Sequence, residues 1–258
     1  MRKIVLSTTL AALLIYAALP LVCFSQVLVS TDGMGSIWTI SGSKVQKLNS
    51  QGISICEYSN RIFGEPSHID ASDPFRILIF YSLPQVVVVV NSNAEELGVP
   101  FQLNMLSIGS IGLVCRSNQG GFWAFSAFKN RLVHVDNSFS PSGQHINLGK
   151  LQRQTNPSQI IESNGVIYLG YENRYISRID LYGDNSPTIE IPHSGPFSIN
   201  RNELWVTVSG KIFSYSLSRT NSKLYELSCN CSSLPVINQT DTVCISNKKV
   251  ISCQKKEL

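Results

Sequence analysis

Apolar and polar positions along the chain fall into short paired runs, and the pairs recur. Ser36–Leu48 reads SIWTISGSKVQKL, Gly121–Asp136 reads GFWAFSAFKNRLVHVD, Gly165–Asp180 reads GVIYLGYENRYISRID, and Asn202–Leu217 reads NELWVTVSGKIFSYSL. Two more divergent copies are Phe75–Val90 (FRILIFYSLPQVVVVV) and Asp241–Cys253 (DTVCISNKKVISC). In each copy, two runs rich in β-branched and aromatic residues flank a polar turn, which is the pattern of a β-hairpin. Aligned on Trp38, Leu78, Trp123, Ile167, Trp205 and Cys244, the copies lie 40, 45, 44, 38 and 39 residues apart. A period near 40 with one hairpin per unit is the signature of propeller blades. The expectation is an all-β chain forming a single β-propeller of six blades.

The fourth unit predicts a complete blade. Ser158–Ser163 is a short inner strand, Asn164-Gly165 a tight turn, Val166–Tyr171 and Tyr175–Leu181 the central hairpin, and Thr188–Ile191 the outer strand. The fifth repeats it with Phe197–Asn200, Glu203–Val208, Lys211–Leu217 and Lys223–Leu227. Beyond the first residues no segment carries an i, i+3, i+4 apolar stripe, so no helix is expected there. Trp38, Trp123 and Trp205 align with Leu78 and Ile167, and a position that accepts aliphatic residues is one that packs between sheets. Ring closure is the weak point, because the last unit ends soon after Cys253. Val27–Ser30 reads as the inner strand of the first blade rather than as a closing strand of the last.

The first residues change the picture of location. Met1-Arg2-Lys3, an apolar run from Leu10 to Leu19, Pro20 and Cys23-Phe24-Ser25 fit a secretory signal peptide over 1–25, cut after Ser25. The run is too short and too interrupted for a membrane anchor, which needs about 20 apolar residues. Residues 26–258 would then form the propeller domain, exported and without a membrane span. Removing Arg2 and Lys3 lowers the formal charge from +4 to about +2. Basic residues are scattered apart from Lys248-Lys249 and Lys255-Lys256, which gives no footprint for nucleic acid.

Six cysteines remain after that cleavage. Cys244 and Cys253 fall on paired strands and Cys229 and Cys231 end the preceding unit, so one or two disulfides among these four are expected in an oxidising compartment. Cys56 on an outer strand and Cys115 on an inner strand are expected to be buried thiols acting as small apolar residues. The Cys229-x-Cys231 spacing lacks the histidines and two-residue gap of a zinc site.

His68, His134, His145 and His193 fall in different units. The densest polar group is His68-Ile69-Asp70 with Asp73, on the inner strand of the second blade beside the central channel. No other inner strand reads as offering a matching histidine or carboxylate. No GxSxG, HExxH, Walker, EF-hand or GxGxxG pattern occurs, and Asp32-Gly33-Met34-Gly35 reads as a turn. The sequons at Asn230 and Asn238 and the terminal Lys-Lys-Glu-Leu are read as chance. No residue is assigned as catalytic, cofactor-binding or metal-ligating.

The texts NGVIYLGYENRYISRIDLYG and FRILIFYSLPQVVVVVNSN resemble the secreted six-bladed β-propeller proteins of Gram-negative bacteria, a largely uncharacterised group. The resemblance spans nearly all of residues 26–258 but lies in architectural residues. It implies a periplasmic or outer-membrane-associated propeller that serves as an interaction platform in envelope complexes, and it carries over no catalytic residue. The expected function is therefore non-enzymatic binding of envelope or outer-membrane proteins through the loops of one face. The alternative is a carbohydrate-binding protein or enzyme that uses the channel near His68 and Asp70.

Overall fold

A computed structural model describes residues 28–32, 34–149, 156–200, 202–209, 211–217, 224–228, 236–238, 241–246 and 249–257. Its first sheet holds β1 (Leu28–Thr31), β2 (Ile37–Ser41), β3 (Lys44–Leu48) and β4 (Ser54–Ser59). The second holds β5 (His68–Asp70), β6 (Ile77–Tyr81), β7 (Val86–Val90) and β8 (Phe101–Gln102), and is followed by one 3₁₀ turn over Leu103–Leu106. The third contains β9 (Ile111–Arg116), β10 (Phe122–Ser126), β11 (Arg131–Val135) and β12 (Pro141–Asn147). The fourth contains β13 (Gln159–Ser163), β14 (Val166–Tyr171), β15 (Tyr175–Asp180) and β16 (Asn185–Ile189). Each is an antiparallel meander whose first strand lies beside the first strand of its neighbours, so the sheets surround a common axis as propeller blades. The expected inner strand of the first blade is β1, paired with β2.

The end of the chain corrects the blade count from six to five. The last hairpin, β22 (Asp241–Ser246) with β23 (Lys249–Glu257), does form. It does not make a sheet of its own. Gln254–Glu257 of β23 pairs with Tyr225–Ser228 of β20 (Leu224–Ser228), joining β21 (Val236–Asn238), β22 and β23 to β17 (Ser198–Asn200), β18 (Glu203–Val208), β19 (Lys211–Ser216) and β20. One seven-stranded sheet results, in the order β17-β18-β19-β20-β23-β22-β21. The physical reason is edge pairing: among the described residues no outer strand covers β23, and its exposed edge finds its partners on the free edge of β20. The inner strand β21 lies beside β1, which brings the end of the sheet back to the first blade.

Packing between blades explains the run of five valines in β7. Val86, Val88 and Val90 join Trp38, Ile69, Ile77 and Ile79 between the first two blades. Val87 and Val89 point the other way, to Leu78, Phe80, Phe122 and Ala124 of the second and third. A strand covered on both faces has no reason to alternate apolar with polar residues. Trp123, Phe125, Ile167 and Leu169 fill the next interface, and Tyr168, Ile176, Leu204 and Val206 the one after. Trp38, Trp123 and Trp205 are fully buried, in accord with the packing role expected of them.

One turn design recurs between strands and was not legible as a repeat. Asn49, Asn91, Asp136 and Asp180 each end the third strand of a blade, and each Oδ1 accepts the N–H groups two and four residues on. The fourth residue of each turn, Gly52, Ala94, Phe139 or Gly183, has positive φ. Asp32 accepts in the same way from Met34 and Ser36 between β1 and β2, in accord with the turn expected there. These loops and the first-to-second-strand turns lie on one face of the propeller. The second-to-third-strand turns and the connections between blades lie on the opposite face.

Candidate functional site

The register of the inner strands places one residue of each blade at the same level around the axis. Ser30 pairs with Trp38, Asp70 with Leu78, Cys115 with Trp123, Glu162 with Ile167 and Ser198 with Trp205. Asp70 therefore has a carboxylate counterpart in Glu162, contrary to the expectation that no other inner strand offered one. The equivalence follows from strand pairing, because Glu162 sits in an otherwise unremarked Ile-Ile-Glu-Ser segment.

Side chains of this girdle tie the first four blades in series. Ser30 Oγ accepts the Ala71 N–H at 2.9 Å, and Asp70 Oδ2 accepts the Arg116 N–H at 2.9 Å. Asp70 Oδ1 caps Ser72 N–H at 3.0 Å. Glu162 reaches back to the third blade, where Oε1 accepts Asn118 N–H at 3.2 Å and Oε2 accepts the Trp123 indole N–H at 2.7 Å. Asp73 holds the Arg116 guanidinium at 2.8 Å. A buried carboxylate needs such donors to offset its lost hydration. The two acids are thus fixed as inter-blade staples.

Cys115 lies at the same level as the two acids. Burial, followed by the fields of Asp70 and Glu162, pushes its thiol well above the ordinary cysteine range. A thiol held protonated is a poor nucleophile at neutral pH. Cys115 and Cys56 are both free; Cys115 is fully buried, as expected, whereas Cys56 is only half-buried. Cys229 and Cys231 lie outside the described residues. Cys253 is opposite Thr242 and Cys244 opposite Ile251 in the backbone register.

His68 stands two positions from Asp70 along β5, opposite Phe80. The same register position is filled by Leu28, Leu113 and Ile160 in the first, third and fourth blades. Burial lowers its pKa, and the Asp70 charge opposes this only in part. His134 is buried against Trp123 with ring centroids 5.0 Å apart, its Nε2–H donating to the Gly120 carbonyl at 2.8 Å and its Nδ1 accepting from Ser142 Oγ. His193, fully buried, donates from Nδ1 to the Gly195 carbonyl at 2.8 Å. His145 is exposed on β12. The structure keeps the four histidines in separate places, and among the described residues no three His, Cys, Asp or Glu side chains converge as a metal site.

A small cleft between the second and third blades is lined by Arg76, Leu78, Val89, Arg116, Phe122 and Asp136. Its volume of about 10 Å³ holds a single water at most.

A second feature is apolar and was missed by pattern reasoning, which looks for buried residues. On the face bearing the inter-blade connections, Ile62, Leu83, Met105 and Phe128 are 88%, 95%, 71% and 80% exposed. Leu83 and Phe128 occupy corresponding hairpin turns of the second and third blades. The signal in the sequence is their place: apolar residues at turn tips, where Gly42 and Asn173 stand in neighbouring blades.

No family model matches the chain, and no curated protein sequence matches it. Solved structures do. A streptogramin B lyase structure is 14% identical, with a TM-score of 0.54 over 90% of this chain and 82% of that one. A catalytically inactive virginiamycin B lyase from Staphylococcus aureus with quinupristin is 14% identical, with a TM-score of 0.57 over 88% and 79%. BBS1N in complex with ARL6DN is 10% identical, with a TM-score of 0.55 over 84% and 74%. An enzyme and a protein-binding domain thus share this fold with the chain. At such identity these likenesses show the β-propeller and nothing of activity.

Proposed function

We propose that the chain is a non-enzymatic propeller that binds other proteins through loops of one face, in an envelope complex of the periplasm or outer membrane. The observation that carries this reading is the contrast between the axis and the rim. The ionisable groups at the axis, Asp70 and Glu162, are engaged with backbone and indole N–H donors of adjacent blades. The rim carries large apolar side chains more than 70% exposed on loops that are hydrogen-bonded to the blades. Exposed apolar side chains on loops tied to one another are the kind of surface that marks interaction sites. The export and envelope setting rest on the signal-like residues 1–25 and the resemblance to secreted propellers.

The test is affinity capture of the chain lacking residues 1–25 from native envelope extract, with mass spectrometry of what co-purifies. A stoichiometric protein partner, retained by His68→Leu, is the expected result. A protein that captures no partner, or loses it on His68→Leu with the fold intact, would move function to the channel around His68 and Asp70.

A further inference from the structure

Four exposed apolar residues, Ile62, Leu83, Met105 and Phe128, stand on interlocked loops of one face of the second and third blades, whereas Phe75 and Val99 stand on the opposite face. The turn Ser82–Gln85 is locked to the inter-blade connection, because Leu103 N–H donates to the Gln85 carbonyl at 2.8 Å and the Gln85 side chain brackets Ile111 at 2.6 and 3.0 Å. The turn of the third blade is locked to the same connection, with Ser126 Oγ donating to the Ile108 carbonyl at 2.6 Å. Phe128 stands over Gly109, where an added Cβ would come within 3.4 Å of its ring. On the other side, Ser67 Oγ accepts Ser82 N–H at 3.1 Å, and Phe63 packs on Tyr81 with ring centroids 5.4 Å apart. Ile62, Leu83, Met105 and Phe128 are therefore carried on loops hydrogen-bonded or packed into one another. A surface that is already ordered loses little conformational entropy on binding.

The charge around the ridge selects the occupant. Lys129 lies over the Phe128 ring at 5.3 Å, and Arg61 precedes Ile62. Neither takes part in an ion pair among the described residues, where the pairs are Lys44–Glu57, Lys47–Asp32 and Arg116–Asp73. Glu65 is the one carboxylate in the same loops, between residues 60 and 130 on this face. A second copy docked ridge to ridge would set these cations against their like. An anionic membrane calls for clusters of about 4–8 basic residues, which this ridge does not have.

Resting on the interaction reading above, we infer that the ridge Ile62–Leu83–Met105–Phe128 docks a protein segment presenting apolar anchors flanked by carboxylates. Anchors of that kind fill the centre of an interface, while rim charges set approach and register.

The experiment compares short synthetic peptides with a Trp/Leu/Phe core flanked by Glu against the same cores flanked by Lys, binding to the chain lacking residues 1–25. Glu-flanked peptides are expected to bind at least about tenfold more tightly, with the advantage shrinking as salt rises. Lys129→Glu with Arg61→Glu should invert the preference, and Leu83→Asp with Phe128→Asp should abolish binding. Phe75→Asp with Val99→Asp, on the opposite face, should change nothing. Equal binding of both sets, or binding of neither, would overturn the inference. So would uptake on phosphatidylglycerol vesicles that Leu83→Asp with Phe128→Asp removes, or dimerisation of the chain that those substitutions break. If the natural partner is instead lost only with Phe75→Asp and Val99→Asp, this ridge is wrong while the interaction reading stands.

Discussion

At the scale of residues, the three tryptophans show how one packing position acquires different polar duties. Trp123 donates its indole N–H to Glu162 of the next blade, whereas Trp38 is equally buried and its indole N–H meets no acceptor among the described residues. Asp70, the counterpart of Glu162, is one methylene shorter and is engaged with Arg116 and Ser72 instead. Glu162→Ala is expected to cost about 2–3 kcal/mol in urea unfolding, since it strands a buried indole and a backbone N–H. In a Trp123→Phe background the same change should cost distinctly less; equal costs would show that the two side chains are not coupled. His68 gives a second expectation. Its pKa is lowered in the fold from an ordinary 6.5, so its contribution is fully present above pH 6.5 and is lost as pH falls below that value. His68→Leu, which installs the residue found at this register in other blades, should flatten the acid limb of a stability–pH profile measured by thermal unfolding. An unchanged acid limb would show that His68 is not the group responsible. The burial of the tryptophans was legible from their alignment with Leu78 and Ile167. The Asp70–Glu162 equivalence was not, because it depends on strand register.

At the scale of elements, turns carry the tightest geometric demands. Gly121 has φ +73°, and a Cβ there would run into the Val135 carbonyl of the adjacent strand. Gly165 has φ +74° with open space around it. Both lose glycine's freedom on substitution by alanine, at about 1–2 kcal/mol. Gly121→Ala should cost at least about 2 kcal/mol beyond Gly165→Ala, because its turn must also move. Similar losses in denaturant titrations would mean that the turn after Ser117 yields freely. Most strands were legible, and Val166–Tyr171 and Glu203–Val208 have the bounds that their apolar alternation predicts. The recurring Asx turn was less visible, since Gly52 and Gly183 are replaced by Ala94 and Phe139 in the other copies. The merging of the last hairpin into the fifth sheet was not visible at all. It depends on which free edge β23 meets, and a hairpin pattern records only local pairing.

At the scale of the whole molecule, the blades make a rigid frame with a polar girdle at its axis and an apolar ridge on one face. The girdle links Asp70, Arg116, Glu162 and Trp123 across three successive blades and so fixes how those sheets sit. The ridge sits on the same blades, on loops held to them by Gln85 and Ser126. Architecture was readable from a period near 40 because every unit repeats the same packing problem. Function was not, because neither face nor partner leaves a period in the chain. The most direct measurement is photo-crosslinking in producing cells from a reactive residue placed at Leu83, Phe128, Phe75 or Val99, with the crosslinked species identified. The account predicts one protein partner captured from Leu83 and Phe128 and none from Phe75 or Val99. Absence of any protein adduct from all four positions would contradict it.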